Sequence, residues 1–219
     1  MPAPPLDPTV YASLRGVGVD YDGRPALNSI DLDIRAGTLT VVAGPNGAGK
    51  STLLEVIAGT RSLSRGSRSS IPLVAFVPQR AAVSDRLPVT VRDVVSIGTW
   101  GRTKAGRQRS SEARDAMTTA MNRLEIARLA ATPFSSLSGG QRQRALLAQG
   151  LARGADMLLL DEPTTGLDSG SAEQIREIMR SEAGRGVAVV CVSHDPAVLS
   201  IAGRIVRLED GIISLDRAS

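Results

Sequence analysis

Apolar residues are distributed along the chain in short runs of two kinds. From Val10 to Val19 and from Asn28 to Ile34 apolar and polar positions alternate, the period of a strand with one buried face, and the turn residues Asp22, Gly23, Arg24 and Pro25 separate the two runs. Leu39 to Ala43, Met157 to Leu160 and Val187 to Val192 are continuous apolar runs, as expected of strands covered on both faces in a parallel sheet. Lys50 to Ala58 reads as a helix stopped by Gly59, and Ser169 to Ala183 as another. Leu73 to Val77 is a further strand, a short helix follows Pro196, and Ile205 to Leu208 with Ile212 to Leu215 form a closing pair. Arg61 to Ser70, built mainly of Ser, Arg and Gly, reads as a polar loop. Val89 to Arg153 is mostly helical, interrupted by the Gly- and Arg-rich stretch Gly98 to Arg109. The alternation predicts the α/β class, with a helical insert from about residue 85 to 155 inside one folded unit spanning residues 1–219.

Composition narrows the function. The chain has 219 residues and a formal charge of +4, which suits nucleic acid, an anionic membrane surface or an Arg-rich composition alike. Aromatic residues make up only 2%, and without stacking platforms a role in binding nucleic acid is not expected. The one cysteine, Cys191, has no partner for an internal disulfide and falls in an apolar run, as a reduced core thiol would. No run approaches the roughly 20 apolar residues of a membrane span, and Met1 to Pro8 lacks the regions of a signal peptide. A cytosolic chain is expected, serving any membrane process by docking onto another protein.

Three segments carry chemistry. Gly44-Pro45-Asn46-Gly47-Ala48-Gly49-Lys50-Ser51 lies between a strand and a helix. Its glycines let successive N–H groups converge on one anion, Lys50 supplies a charge for the β- and γ-phosphates, and Ser51 is placed to ligate Mg²⁺. By chance such a run arises in roughly one chain in a hundred of this size. The strand Met157 to Leu160 ends in Asp161 and Glu162. Ligands gather at the carboxyl ends of parallel strands, so Asp161 suits the Mg²⁺ shell and Glu162 a general base; taken alone, the pair also reads as a solvated turn. Ser138-Gly139-Gly140-Gln141 has the spacing of a capping box at the start of a helix running to Arg153. The box explains the serine and the glutamine. The two glycines cost the helix about 1 kcal/mol each relative to Ala, and bare backbone there suits a closely approaching phosphate.

Leu137 to Gln141 together with Gly44 to Ser51 resembles the nucleotide-binding subunits of ABC (ATP-binding cassette) ATPases, and the likeness extends from about Ser13 to Leu215 through Leu160-Asp161-Glu162-Pro163-Thr164-Thr165-Gly166-Leu167-Asp168. The resemblance implies a P-loop NTPase fold: a RecA-like parallel-sheet core, an antiparallel β subdomain and a helical subdomain. It implies ATP and Mg²⁺, with nucleotide contacts from Gly44, Pro45, Asn46, Gly47, Ala48, Gly49, Lys50, Ser51 and Thr52. Ser138, Gly139, Gly140 and Gln141 would meet the γ-phosphate of ATP held by a second, head-to-tail copy, and Asp168 would lie in the loop through which the copies sense each other. Gln79 is similar to a glutamine that reaches Mg²⁺ and the attacking water, His194 to a histidine at the γ-phosphate, and Tyr21 to a ring that stacks on adenine. Catalytic roles then fall to Glu162, His194, Gln79 and Lys50, and Mg²⁺ ligation to Ser51, Gln79 and Asp161.

Only twenty positions separate Gly59 from Gln79, which implies a trimmed antiparallel subdomain. That short segment, Val77-Pro78-Gln79-Arg80, and Leu87 to Val95 with Gly98 are similar to ATPase subunits of bacterial zinc and manganese importers; siderophore and cobalamin importers share part of the pattern. The partners implied are a second copy, an integral membrane permease and an extracytoplasmic substrate-binding protein, with the chain peripheral on the inner face of the membrane. A soluble relative, such as the iron–sulfur cluster assembly ATPase, would carry the same catalytic residues.

Overall fold

A computed structural model describes residues 9–21, 23–70, 73–78, 88–100 and 108–218. Gln79 therefore lies outside the described residues. Strands β1 (Val10–Tyr21), β2 (Arg24–Arg35) and β4 (Arg65–Ser70) form an antiparallel sheet in the order β2-β1-β4. A second sheet runs β5-β6-β7-β3-β8-β9, from β3 (Leu39–Ala43), β5 (Val74–Val77), β6 (Met157–Asp161), β7 (Ala188–Val192), β8 (Arg204–Glu209) and β9 (Ile212–Ala218). Its strand pairings are parallel except β8 with β9.

The continuous apolar runs are explained by what lies on each face of this second sheet. Val41, Leu158, Leu160, Val189 and Cys191 pack into a core with helices α2 (Val91–Ile97), α3 (Gln108–Arg123), α4 (Gly139–Ala152) and α5 (Ser169–Gly184). Val42, Met157, Leu159, Val190 and Val192 face the other way, into a core shared with α1 (Lys50–Ala58) and the β1–β2 sheet. Alternate residues of one strand thus serve two cores, and no polar period survives in the sequence. A short helix, α6 (Pro196–Leu199), follows β7.

The polar stretch Arg61 to Ser70 is not all loop, because its second half is β4, paired with β1 from Ala12↔Ser70 to Gly18↔Arg65. Its side chains from Arg65 to Ser69 are mostly exposed, so the strand has no apolar face to reveal it; backbone pairing with β1 supplies the order. The closing strand also runs three residues past Leu215, with an exposed outer edge.

Among the helices, α2, α3 and α4 pack on one another, and α4 lies close on β5: a Cβ at Gly150 would meet Cβ of Ala75 at 2.5 Å. Thr90 caps α2 in a reciprocal box with Asp93, whose N–H donates to Thr90 Oγ1 at 3.3 Å while Thr90 N–H donates to Asp93 Oδ2 at 2.8 Å. The end of α3 is joined to the end of α5 by an ion pair between Arg123 and the buried Glu182. No described helix is long and apolar enough to cross a membrane.

Candidate functional site

Strand order decides where the motifs meet. β6, β7 and β3 are adjacent and parallel, so the loop after Ala43, the carboxylates ending β6 and the loop after Val192 emerge at one edge. Two hydrogen bonds tie these ends together, Glu162 N–H to Val192 O at 3.0 Å and Ser193 N–H to Val42 O at 3.2 Å. A cleft of about 490 Å³ opens there, lined in part by Asn46, Gly47, Lys50, Ser51, Asp161, Glu162 and His194. Thr52 and Gly49 line it too, as do Ala26 and Val192, which sequence reading did not single out.

The glycine loop is shaped by close contact and by positive φ. Gly44 has φ +145°, and a Cβ there would lie 2.0 Å from the carbonyl oxygen of Leu208. No other residue fits without moving β8. Gly49, at φ 97°, stands at the N-cap of α1 and offers no side-chain cap, whereas α2, α4, α5 and α6 are capped by Thr90, Ser138, Asp168 and Asp195. The first-turn N–H groups of α1 are therefore left to a ligand, and the helix dipole makes an anion the favoured one. Ala48 is buried under the loop, its carbonyl accepting from Gly211 N–H at 3.2 Å, and Pro45 O accepts from Ala48 N–H at 3.3 Å. Lys50 curls back, its amine donating to Gly44 O at 2.9 Å and Pro45 O at 2.7 Å. A phosphate entering this loop meets a cation already gathered at its rim.

The hydroxyl of Ser51 donates to Asp161 Oδ2 at 3.0 Å. Burial raises the Asp161 carboxyl above its ordinary range; the Ser51 bond opposes this, nearby Glu162 adds to it and Lys50 opposes it. An anionic oxygen, desolvated and beside a hydroxyl, is a donor set that suits a hard cation such as Mg²⁺.

Glu162 leaves the strand by an unusual backbone step, φ 49°, in the left-handed region. Such a conformation costs a non-glycine residue about 1–2 kcal/mol, and it falls directly after the last residue of β6, one position before Pro163. The Glu162 side chain is 13% exposed and held on both oxygens: Thr165 Oγ1 donates to Oε2 at 2.9 Å, and His194 Nδ1 lies 3.0 Å from Oε1. His194 is itself 75% exposed, open to whatever occupies the cleft. The motif Leu160 to Asp168 includes Thr165 without assigning it a role; its place three residues after Glu162 is the signal for this contact.

The remaining candidates lie elsewhere. The Ser138 box is present, Gln141 N–H donating to Ser138 Oγ at 3.3 Å and Ser138 N–H to Gln141 Oε1 at 3.1 Å, but Ser138, Gly139, Gly140 and Gln141 do not line the cleft. Asp168 caps α5, accepting from Ser171, and is likewise outside the cleft lining. Tyr21 is 40% exposed at the end of β1, and the guanidinium of Arg61 sits 4.7 Å above its ring, held in turn by Glu55 at 2.8 Å. One face of that ring is thus engaged by a cation within the chain.

The sequence profile of the ABC transporter family matches residues 27–165. The chain is 40% identical to the hemin import ATP-binding protein HmuV of Streptomyces coelicolor, over 98% of this chain and 80% of that one. It is 34% identical to the zinc transport system ATP-binding protein TroB of Treponema pallidum, over 87% and 75% of the two chains. The dimeric structure of MJ0796, a bacterial ABC transporter cassette, matches with a TM-score of 0.81 at 26% identity, covering 94% of this chain and 98% of that one.

Proposed function

The chain belongs to the ABC transporter family as the ATP-binding, ATP-hydrolysing subunit of an importer, and we propose that two copies close head to tail over two ATP molecules to drive a separate membrane permease. One observation carries the two-copy reading. The cleft gathers Lys50, Ser51, Asp161, Glu162 and His194, while Ser138 to Gln141 lie outside it, so this chain's own cleft lacks the segment that would complete it. The dimeric form of the MJ0796 cassette supports a second copy as its source.

In this reading Gly44 to Thr52 cradle the phosphates through backbone N–H groups and Lys50. Ser51 and Asp161 would hold Mg²⁺, with Gln79 assigned to the same ion by resemblance, and the chemistry it would supply there is neutralisation of phosphate charge. Glu162 accepts a proton from the water whose oxygen attacks the γ-phosphorus as the bond to the β–γ bridging oxygen breaks. His194 keeps the Glu162 carboxylate aimed and offers its exposed edge to the γ-phosphate. Ser138 accepts in its capping box and still has a hydroxyl proton to donate to the partner copy's nucleotide. Tyr21 stacks on adenine with the face that Arg61 leaves open.

The transported solute is a metal-bearing one, either a zinc-type ion or a chelate such as hemin; the HmuV and TroB relatives support this class. The permease docks on the groove between β5 and the helices, where Ile97, Phe76 and Trp100 are exposed, Trp100 by 71%. The chain works at the inner face of the membrane, served by a substrate-binding protein on the outer side. Two measurements test the reading. Glu162→Gln should lose about 10²–10⁴-fold of its turnover while ATP still binds and a stable dimer accumulates; full hydrolysis would remove the general base. Deleting the gene should abolish uptake of labelled zinc or of hemin, and normal uptake of both would overturn the solute class.

A further inference from the structure

The first turns of α4 and α5 meet at one point. Gly140 is buried, and a Cβ built on it would lie 2.5 Å from both Cβ and Oγ of Ser171. Ser171 is not placed to retreat. Its N–H donates to Asp168 Oδ1 at 2.9 Å and its hydroxyl to Asp168 Oδ2 at 2.7 Å, so one carboxylate grips it at two points. Those same bonds hold the Asp168 carboxyl below the ordinary aspartate range. The neighbouring glycine is different: a Cβ at Gly139 would meet only the Cδ2 of Leu167, at 3.1 Å, the far end of a flexible side chain. The two glycines of the Ser138 to Gln141 segment are therefore under unequal constraint from their own chain.

We propose that Ser171 is a positioning residue for this segment: Gly140 is glycine in order to seat Ser171, and the seat locks the first turn of α4 to the Asp168 loop. The inference rests on the reading that Ser138 to Gln141 meet the nucleotide of a second copy, and it gives that reading a mechanical element. Two segments well apart in sequence, the one that would touch the partner's γ-phosphate and the loop that would sense the partner's site, become one unit that moves together when the copies close. A phosphate at the partner needs bare backbone at Gly139. It is the chain's own α5 that forbids a side chain at Gly140.

The test is a rescue series in the full chain carrying Glu162→Gln, read as the ATP concentration that drives dimerisation in sedimentation experiments and as the melting temperature of the nucleotide-free protein. Overpacking of about one methyl is worth roughly tenfold or more in an equilibrium constant. Gly140→Ala should therefore destabilise the nucleotide-free fold by about that factor and, by displacing the segment that would meet the partner's nucleotide, weaken dimerisation as well; adding Ser171→Gly should recover most of both losses, and adding Ser171→Ala, which keeps the Cβ, should not. The melting temperatures should follow the same order, which reports the seat without any dimer. Should Gly140→Ala fail to fold, Ser171→Thr serves in its place: it adds a methyl beside Gly140, and should weaken dimerisation while a fluorescent ATP analogue still binds the chain's own Gly44 to Ser51 loop. Gly140→Ala left unrescued by Ser171→Gly, or Ser171→Thr dimerising like its parent, would overturn the proposal. A parent Glu162→Gln chain that never dimerises with ATP would instead overturn the two-copy reading, and this inference with it.

Discussion

Individual side chains at the cleft are held in costly states that suit a ligand. Lys50 donates to two carbonyls of its own loop, and removing its amine subtracts a charge-assisted contact worth about 1.5–3 kcal/mol to a phosphate. Lys50→Met is accordingly expected to weaken ATP binding by about 10–100-fold in calorimetric titration. Asp161 offers a sharper contrast. Burial disfavours its charged form, so Asp161→Asn should leave the nucleotide-free melting temperature unchanged or raised while Mg²⁺-dependent hydrolysis is lost. A fall in both would mean that the carboxylate is structural. The chemistry of these residues is legible from the motif, but the left-handed step at Glu162 and the Thr165 hydrogen bond that secures it are not, because φ depends on how β6, β7 and the following turn close on one another.

Element by element, the helix ends show what local sequence can and cannot reveal. The box at Ser138 and Gln141 is present as expected, since both partners lie within one turn and need nothing distant. Ser138→Ala should cost about 1 kcal/mol of folding free energy in urea titration. At α5 the cap is a carboxylate, Asp168, whose pKa is lowered mainly by hydrogen bonds from Ser171. A group with a lowered folded pKa adds stability above its unfolded value and loses it as pH falls through the folded one. Asp168→Asn should therefore lower the melting temperature at neutral pH, and the gap from the parent should close as pH drops below about 4. The β4 strand marks the opposite limit. Its residues carry no apolar period, and only β1 beside them makes Arg65 to Ser70 extended.

Across the whole molecule, the ion pair between Arg123 and Glu182 ties the helical layer to α5. Glu182 is 3% exposed and its carboxyl is raised, chiefly by burial, against the opposing pull of Arg123. Arg123→Met removes that pull and leaves a buried acid facing only the more distant Arg185, at 3.8 Å, a change that costs about 2 kcal/mol once the partial exposure of Arg123 is allowed for. Because the folded pKa is then raised further, the loss should grow as pH rises toward neutrality and vanish near about pH 4, where the acid is neutral in both states. A pH-independent loss would assign the pair to packing instead. The sequence by itself determined the class, the phosphate loop, the paired acids and the Ser138 cap, since each is written in contiguous residues whose chemistry follows from spacing. Tertiary structure alone decided which of these meet. Strand order put Lys50, Asp161, Glu162 and His194 at one edge and left Ser138 to Gln141 outside, and the approach of α5 fixed Gly140 against Ser171. Those outcomes depend on contacts between residues tens of positions apart, set by packing of whole elements, and no local pattern encodes them.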